Sequence, residues 1–157
     1  GDGTITKRTS PVQVSGFTGV AAIAGGGYFS LALKKDDTAW AWGSNNYGQL
    51  GDGTTNDKHV PVQVSGLTGI TAIAAGEHHS LALKSDGTVW AWGDNGNGQL
   101  GDGTSGTNRL TPVQVSGLTG IQHLPHPEHE GQVRGKCLQQ PFTRYVHKPR
   151  PDPDPGA

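Results

Sequence analysis

The chain repeats itself at a fixed interval. GDGT begins at Gly1, Gly51 and Gly101, a spacing of 50 residues, and PVQVSG begins at Pro11, Pro61 and Pro112. About 30 of the first 50 residues recur in place in the next 50. A period of about 20 to 50 residues is the mark of solenoids, propellers and arrays, in which one repeat is one supersecondary unit. Such a unit cannot bury both of its faces alone and must stack on neighbours. In this frame the repeats occupy 1–121, as 1–50, 51–100 and a partial 101–121, and the repeat text is lost over 122–157.

Within one period the pattern is that of short strands. In residues 61–103, Val62-Gln63-Val64 alternates after Pro61, and proline is tolerated at the first position of a strand. Ser65-Gly66 and Thr68-Gly69 punctuate a turn before a second strand, Ile70 to Ala75. His79 to Lys84 forms a third, with Leu81 and Leu83 on one face and Ser80 and Ala82 on the other. Ser85-Asp86-Gly87 reads as a hairpin turn, and Thr88 to Trp92 as the fourth strand. Four short strands with a turn between each predict an all-β fold, with each repeat an antiparallel propeller blade.

The tryptophans and glycines then acquire a packing role. Trp90 and Trp92 share one strand face, as do Trp40 and Trp42, with Val89, Ala91, Ala39 and Ala41 on the reverse. A blade that presents large rings needs small residues facing it, and buried rings remove about 150–250 Å² each from water. Gly93 and Gly98 bound a tight loop that needs positive φ. Hydrophobic residues are only 32% of the chain and glycines number 26, which suits thin, closely packed strands better than one thick core.

Composition and motifs exclude several chemistries. A net charge of −1 with 16% charged residues gives no field for a nucleic acid or a membrane surface. No apolar run reaches the roughly 18 residues of a membrane span. One cysteine, Cys137, permits no internal disulfide. Asp94, Gly96 and Gly98 stand at alternating loop positions, but two of the three lack side-chain oxygens and no glutamate closes the loop, so a calcium site is not expected. No GK[ST] follows the glycines and no GxSxG elbow occurs. His78 and His79 are adjacent on a strand and should point to opposite faces, so they do not make one site. No catalytic residue, metal or cofactor is expected.

The text HSLALKSDGTVWAWGDNGNGQLGDGT, preceded by GITAIAAG, resembles the repeat of the regulator of chromosome condensation family. The pattern is met by His79-Ser80-Leu81-Ala82-Leu83, by Asp86-Gly87-Thr88-Val89, by Trp92-Gly93-Asp94-Asn95, and by Gly98-Gln99-Leu100-Gly101. The first copy departs from it, with Phe29 for the histidine and Asp37 for the turn glycine. The resemblance covers 1–121 and implies a seven-bladed propeller with widely varied functions: nucleotide exchange on a small GTPase, chromatin binding, ultraviolet sensing, ubiquitin-ligase accessory roles and enzyme inhibition. The wording is similar to that of bacterial and archaeal members, often surface or secreted proteins, and also to β-lactamase inhibitor protein II. That likeness implies partner contacts on blade-end loops. The matching positions are Gly27 and Tyr28, Glu77 and His78, and Tyr47 and Asn97, which differ between copies inside otherwise matching text. His79 is implied to be structural.

Two blades and the start of a third do not close a ring, which needs about four to eight. The chain is expected to be a fragment of a longer parent, to assemble as a homo-oligomer, or to cover its open face with its tail. The expected function is non-enzymatic: a protein-binding or scaffold module with an unknown protein partner. Inhibition of a secreted enzyme and guanine-nucleotide exchange are the alternatives. Residues 122–157 hold seven of the ten prolines and read as a disordered tail or a frameshifted end. The spacing of His123, His126, His129 and Cys137 does not match a zinc module.

Overall fold

Eight strands of five or six residues follow one another through a computed structural model that describes residues 1–121. The tail expected over 122–157, with its histidines and Cys137, lies outside the described residues. The strands are β1 (Val20–Gly25), β2 (Phe29–Lys34), β3 (Ala39–Gly43), β4 (Lys58–Gln63), β5 (Ile70–Ala75), β6 (His79–Lys84), β7 (Val89–Gly93) and β8 (Arg109–Gln114). No described residue is helical. The strands form two antiparallel sheets, β1-β2-β3-β4 and β5-β6-β7-β8, each a simple meander.

The sheets do not follow the frame of the repeats. The strand expected to open the unit at Pro61 instead closes the sheet before it. β4 pairs with β3 through Trp40↔Gln63 and Ala41↔Val62, and β8 pairs with β7 through Trp90↔Gln114 and Ala91↔Val113. The cause lies in the connections. A short four-residue connection, residues 35–38, returns β2 onto β3, whereas the long loop after the tryptophans carries the chain back along the outer edge of the same sheet. Both junctions carry a register shift, between Ala41 and Gly43 and between Ala91 and Gly93. Gly43 and Gly93 adopt φ of 110° and 102° there. A Cβ on Gly93 would stand 2.5 Å from the His78 carbonyl oxygen, so only glycine fits.

The core lies between the two sheets. Cross-strand pairing places Ser80 beside Trp92 and Ala82 beside Trp90, so these four residues share a face. That face of the second sheet meets Leu31, Leu33, Ala39 and Ala41 of the first, and Ile70, Ala82 and Trp92 join the same buried cluster. Trp92 is fully buried. Its indole approaches Gly51 so closely that a Cβ there would lie 2.7 Å from Nε1, which explains why the repeated GDGT begins with glycine.

Among the described residues, the outer face of each sheet repeats the same chemistry with no sheet against it. On the first sheet, Phe17 packs edge-on against Trp40 and Trp42 at 5.6 and 5.8 Å, and Ile23 is 77% exposed. On the second, Ala72, Ala74, Leu81, Leu83 and Val89 line a shallow hollow of about 130 Å³.

Candidate functional site: the loop cluster at the blade junction

The loop after each tryptophan strand is built around one buried asparagine. Asn45 donates from Nδ2 to the Thr54 carbonyl at 2.9 Å, the Asn56 carbonyl at 3.2 Å and the Asp52 carboxylate at 3.2 Å. Its Oδ1 accepts the Leu50 amide at 2.9 Å. Asn95 repeats the arrangement with Thr104, Asp102 and Leu100. Both asparagines are fully buried, so their polar groups need this complete set of partners. Positive φ and the absence of a calcium pattern, which are what the sequence of this loop shows, do not reveal these hubs. The signal was present as Trp-Gly-x-Asn followed by Gly-Gln-Leu-Gly-Asp-Gly-Thr in both copies.

The hub in turn fixes Gln49, a second residue that sequence reasoning missed. Gln49 accepts the Tyr47 amide on Oε1 at 2.9 Å. Its main-chain carbonyl crosses the junction and accepts both Ser80 Oγ at 2.8 Å and Trp92 Nε1 at 2.9 Å. One buried oxygen thus satisfies two buried donors of the next blade, pinning the sheets in register.

The pinned loop presents Tyr47. Its ring stacks on His78 across the junction, with centroids 4.7 Å apart and planes 25° from parallel. His78 Nε2 stands 3.7 Å from the Glu77 carboxylate. The Gly27 amide donates to the Glu77 carbonyl at 3.1 Å, and a Cβ on Gly27 would approach that oxygen to 2.8 Å. The next residue, Tyr28, is 79% exposed, and its carbonyl accepts the Ser44 amide at 2.9 Å. Five of the six expected contact positions, Gly27, Tyr28, Tyr47, Glu77 and His78, are therefore gathered at one end of the junction. The sixth, Asn97, is exposed on the second blade's own loop, bonded through its amide to Gln99 Oε1 at 2.9 Å. His79 turns away from His78, and its ring covers Gly76, where a Cβ would overlap it.

The aspartates of the three GDGT turns are committed to structure. Asp2, Asp52 and Asp102 each accept the amide and hydroxyl of the threonine two residues on. The Thr104 hydroxyl, with Arg109 bonded at 2.7 Å, draws the Asp102 carboxyl down to about 2. The Thr4 hydroxyl and amide, helped by Arg8, do the same for Asp2. At Asp52 burial opposes ionisation, but Thr54, Lys58 and Asn45 together outweigh it and the carboxyl is also lowered. Among the described residues no group of His, Cys, Asp and Glu could hold a metal ion. The cluster offers aromatic surface, one carboxylate and exposed main chain, which is equipment for contact.

Similarity to known proteins identifies the fold and the repeat. The family model described as the regulator of chromosome condensation (RCC1) repeat matches residues 36–83 and 86–124, and a second model of that description matches 20–49 and 70–99. Among solved structures, human WBSCR16 is 26% identical over 68% of this chain and 28% of its own, with a TM-score of 0.59. Prp20p from Saccharomyces cerevisiae, in a study of its binding properties to Gsp1p and histones, is 22% identical over 61% of this chain and 25% of its own, at a TM-score of 0.57. Yeast RCC1 (Prp20) bound to Kap60 is 26% identical over 64% and 26%, at 0.52. The chain thus spans about a quarter of the length of each of these proteins. No curated protein sequence matches it. The two described sheets are blades of a β-propeller, and the chain belongs to the regulator of chromosome condensation (RCC1) repeat family.

Proposed function

We propose that the chain is a non-enzymatic protein-binding module, and that its contact surface is the loop cluster formed by Gly27, Tyr28, Glu77, His78 and Tyr47. The observation that carries this reading is the Tyr47–His78 stack, which joins loops of two blades into one preorganised aromatic surface beside the exposed Tyr28. Rigid aromatic side chains on loops held by a fixed scaffold supply binding area at little entropic cost. The likeness to proteins studied for binding Gsp1p, histones and Kap60 supports a binding role in general; those partners remain theirs. No observation favours the inhibitor or exchange-factor alternatives.

The test is affinity capture from the source organism with the intact chain and with a Tyr28→Ser, Tyr47→Ser double variant. A specific partner captured by the first and weakened at least about tenfold in the second supports the reading, since one lost aromatic anchor costs about 1–2 kcal/mol or more. Equal capture by both forms would place binding elsewhere.

A further inference from the structure

The two outer faces described above, neither with a sheet against it among the described residues, are the two halves of an interface that the molecule already contains once. Inside the chain, the leucine face of the first blade (Leu31, Leu33, Ala39, Ala41) receives the tryptophan face of the second (Ile70, Ala82, Trp92). The second blade presents the same leucine face again, as Leu81, Leu83, Val89 and Ala91, and the first presents the same tryptophan face, as Val20, Ala32 and Trp42 with Ile23. We propose that a second copy of this chain docks head to tail, with the tryptophan face of its first blade on the leucine face of the second blade.

The internal junction specifies the contacts. Ile23, 77% exposed, is the counterpart of Ile73 and enters the hollow lined by Leu81, Leu83 and Val89. Ser30 and Trp42 are the counterparts of Ser80 and Trp92, whose donors share the Gln49 carbonyl. The matching acceptor is the carbonyl of Gln99, in a loop with the same Asn95 hub. Removing exposed apolar surface such as Ile23 from water is the driving force that already holds the two blades together.

One segment must give way. Residues 1–19 and 101–120 carry the same repeat text, and both cannot fill the single gap between docked copies. β8 is bonded to β7 along its length, whereas residues 8–13 belong to no strand. The incoming copy therefore releases its residues 1–19, taking Val115 and Leu118 of the first copy in place of its own Val14 and Phe17. The contact is heterologous, so copies continue to add until a ring closes.

The test uses the full chain and two surface variants, Ile23→Glu on the tryptophan face and Leu81→Glu on the leucine face. Light scattering after size exclusion, from micromolar to submillimolar protein, should show the unmodified chain growing beyond a monomer. Each variant alone should remain monomeric. Their equimolar mixture retains one intact pair of faces and should give a dimer and nothing larger, with faster tryptic cleavage after Lys7 and Arg8. Far-ultraviolet circular dichroism and thermal melts confirm that each variant is folded; because Ile23 is exposed, its replacement leaves the fold unstrained. A monomeric unmodified chain at all concentrations, or a mixture no heavier than its parts, would overturn the proposal. That outcome would leave the faces to blades of another chain or of a longer one. The loop cluster of the proposed binding site is unchanged in both variants, so failure here and failure there are separable.

Discussion

PVQV occurs at Pro11–Val14 and again at Pro61–Val64, with different outcomes. The second forms the end of β4 and its continuation, held to β3 by Trp40↔Gln63 and by a bond from the Val64 amide to the Ala39 carbonyl at 2.9 Å. The first belongs to no strand, and Val12 is 50% exposed. Local propensity is equal in the two, so the difference comes from the neighbour: residues 58–63 have a tryptophan strand beside them and residues 8–13 do not. The GDGT turn behaves in the opposite way. Asp2, Asp52 and Asp102 close the same threonine-bonded turn in all three copies, at 2.8, 2.8 and 2.7 Å from carboxylate to hydroxyl. Turns in this protein are written locally; strands are completed by what packs beside them.

The same contrast separates the tryptophans and yields the largest expected effect. Trp92 is fully buried and bonded to the Gln49 carbonyl, whereas Trp42 is half-buried against Phe17. Trp92→Ala should cost about 3–5 kcal/mol of stability, as large core truncations do. Trp42→Ala should cost only about 1–2 kcal/mol, in proportion to the smaller area it removes from water. Urea titration of both variants checks the ratio, and equal losses would break the comparison.

Next in size is the asparagine hub. Asn45→Ala leaves the Leu50 amide and two loop carbonyls without their partner and should cost about 2–3 kcal/mol. Asn46→Ala, on an exposed neighbour, should stay within about 0.5 kcal/mol. Denaturant midpoints for the two variants decide whether the loop is held by the hub or by its glycines.

Acid sensitivity sharpens the local half of the comparison. The Asp102 and Asp2 carboxyls titrate at about 2 in the folded chain, below the ordinary value of about 3.9. A depressed folded value means that the stabilisation is fully present above about pH 4 and is lost as the pH falls through about 2. Carboxylate titration by NMR should find both residues lowered alike, because the turn is the same whether its arginine stands on a strand, as Arg109 does, or in no strand, as Arg8 does. A normal value for Asp2 alone would show that the turn, too, depends on its neighbours.

The smallest effect concerns the departure in the first copy. Asp37 adopts φ of 60° where Gly87 adopts 79°. Asp37→Gly relieves that conformation but adds freedom to the unfolded chain, so the net gain should be below about 1 kcal/mol. A thermal melt that moves by more than a few degrees would contradict this.

Much of this organisation was legible in the residues because strand periodicity and turn chemistry are local. The four strands per period, the shared face of Trp90 and Trp92 and the punctuation at Gly87 follow from spacing alone. The sheet frame was not legible: whether Val62 opens one blade or closes another depends on which tryptophan strand lies beside it. The hubs Asn45 and Asn95 escaped for a related reason, since an asparagine in a glycine-rich loop reads as a turn residue until its partners at 52–56 and 102–104 are brought near. The grouping of Tyr47 with His78 depends on the packing of one blade on the next, which no single repeat encodes.

The most direct measurement is backbone hydrogen exchange by mass spectrometry on the intact chain, comparing peptides over residues 8–14 and 58–64. Strong protection of 58–64 with free-chain exchange at 8–14 is the predicted result, because only the later copy has a strand to pair with. Equal exchange in the two would mean that the repeat text fixes its own structure, and the neighbour-dependent completion of the blades would be wrong.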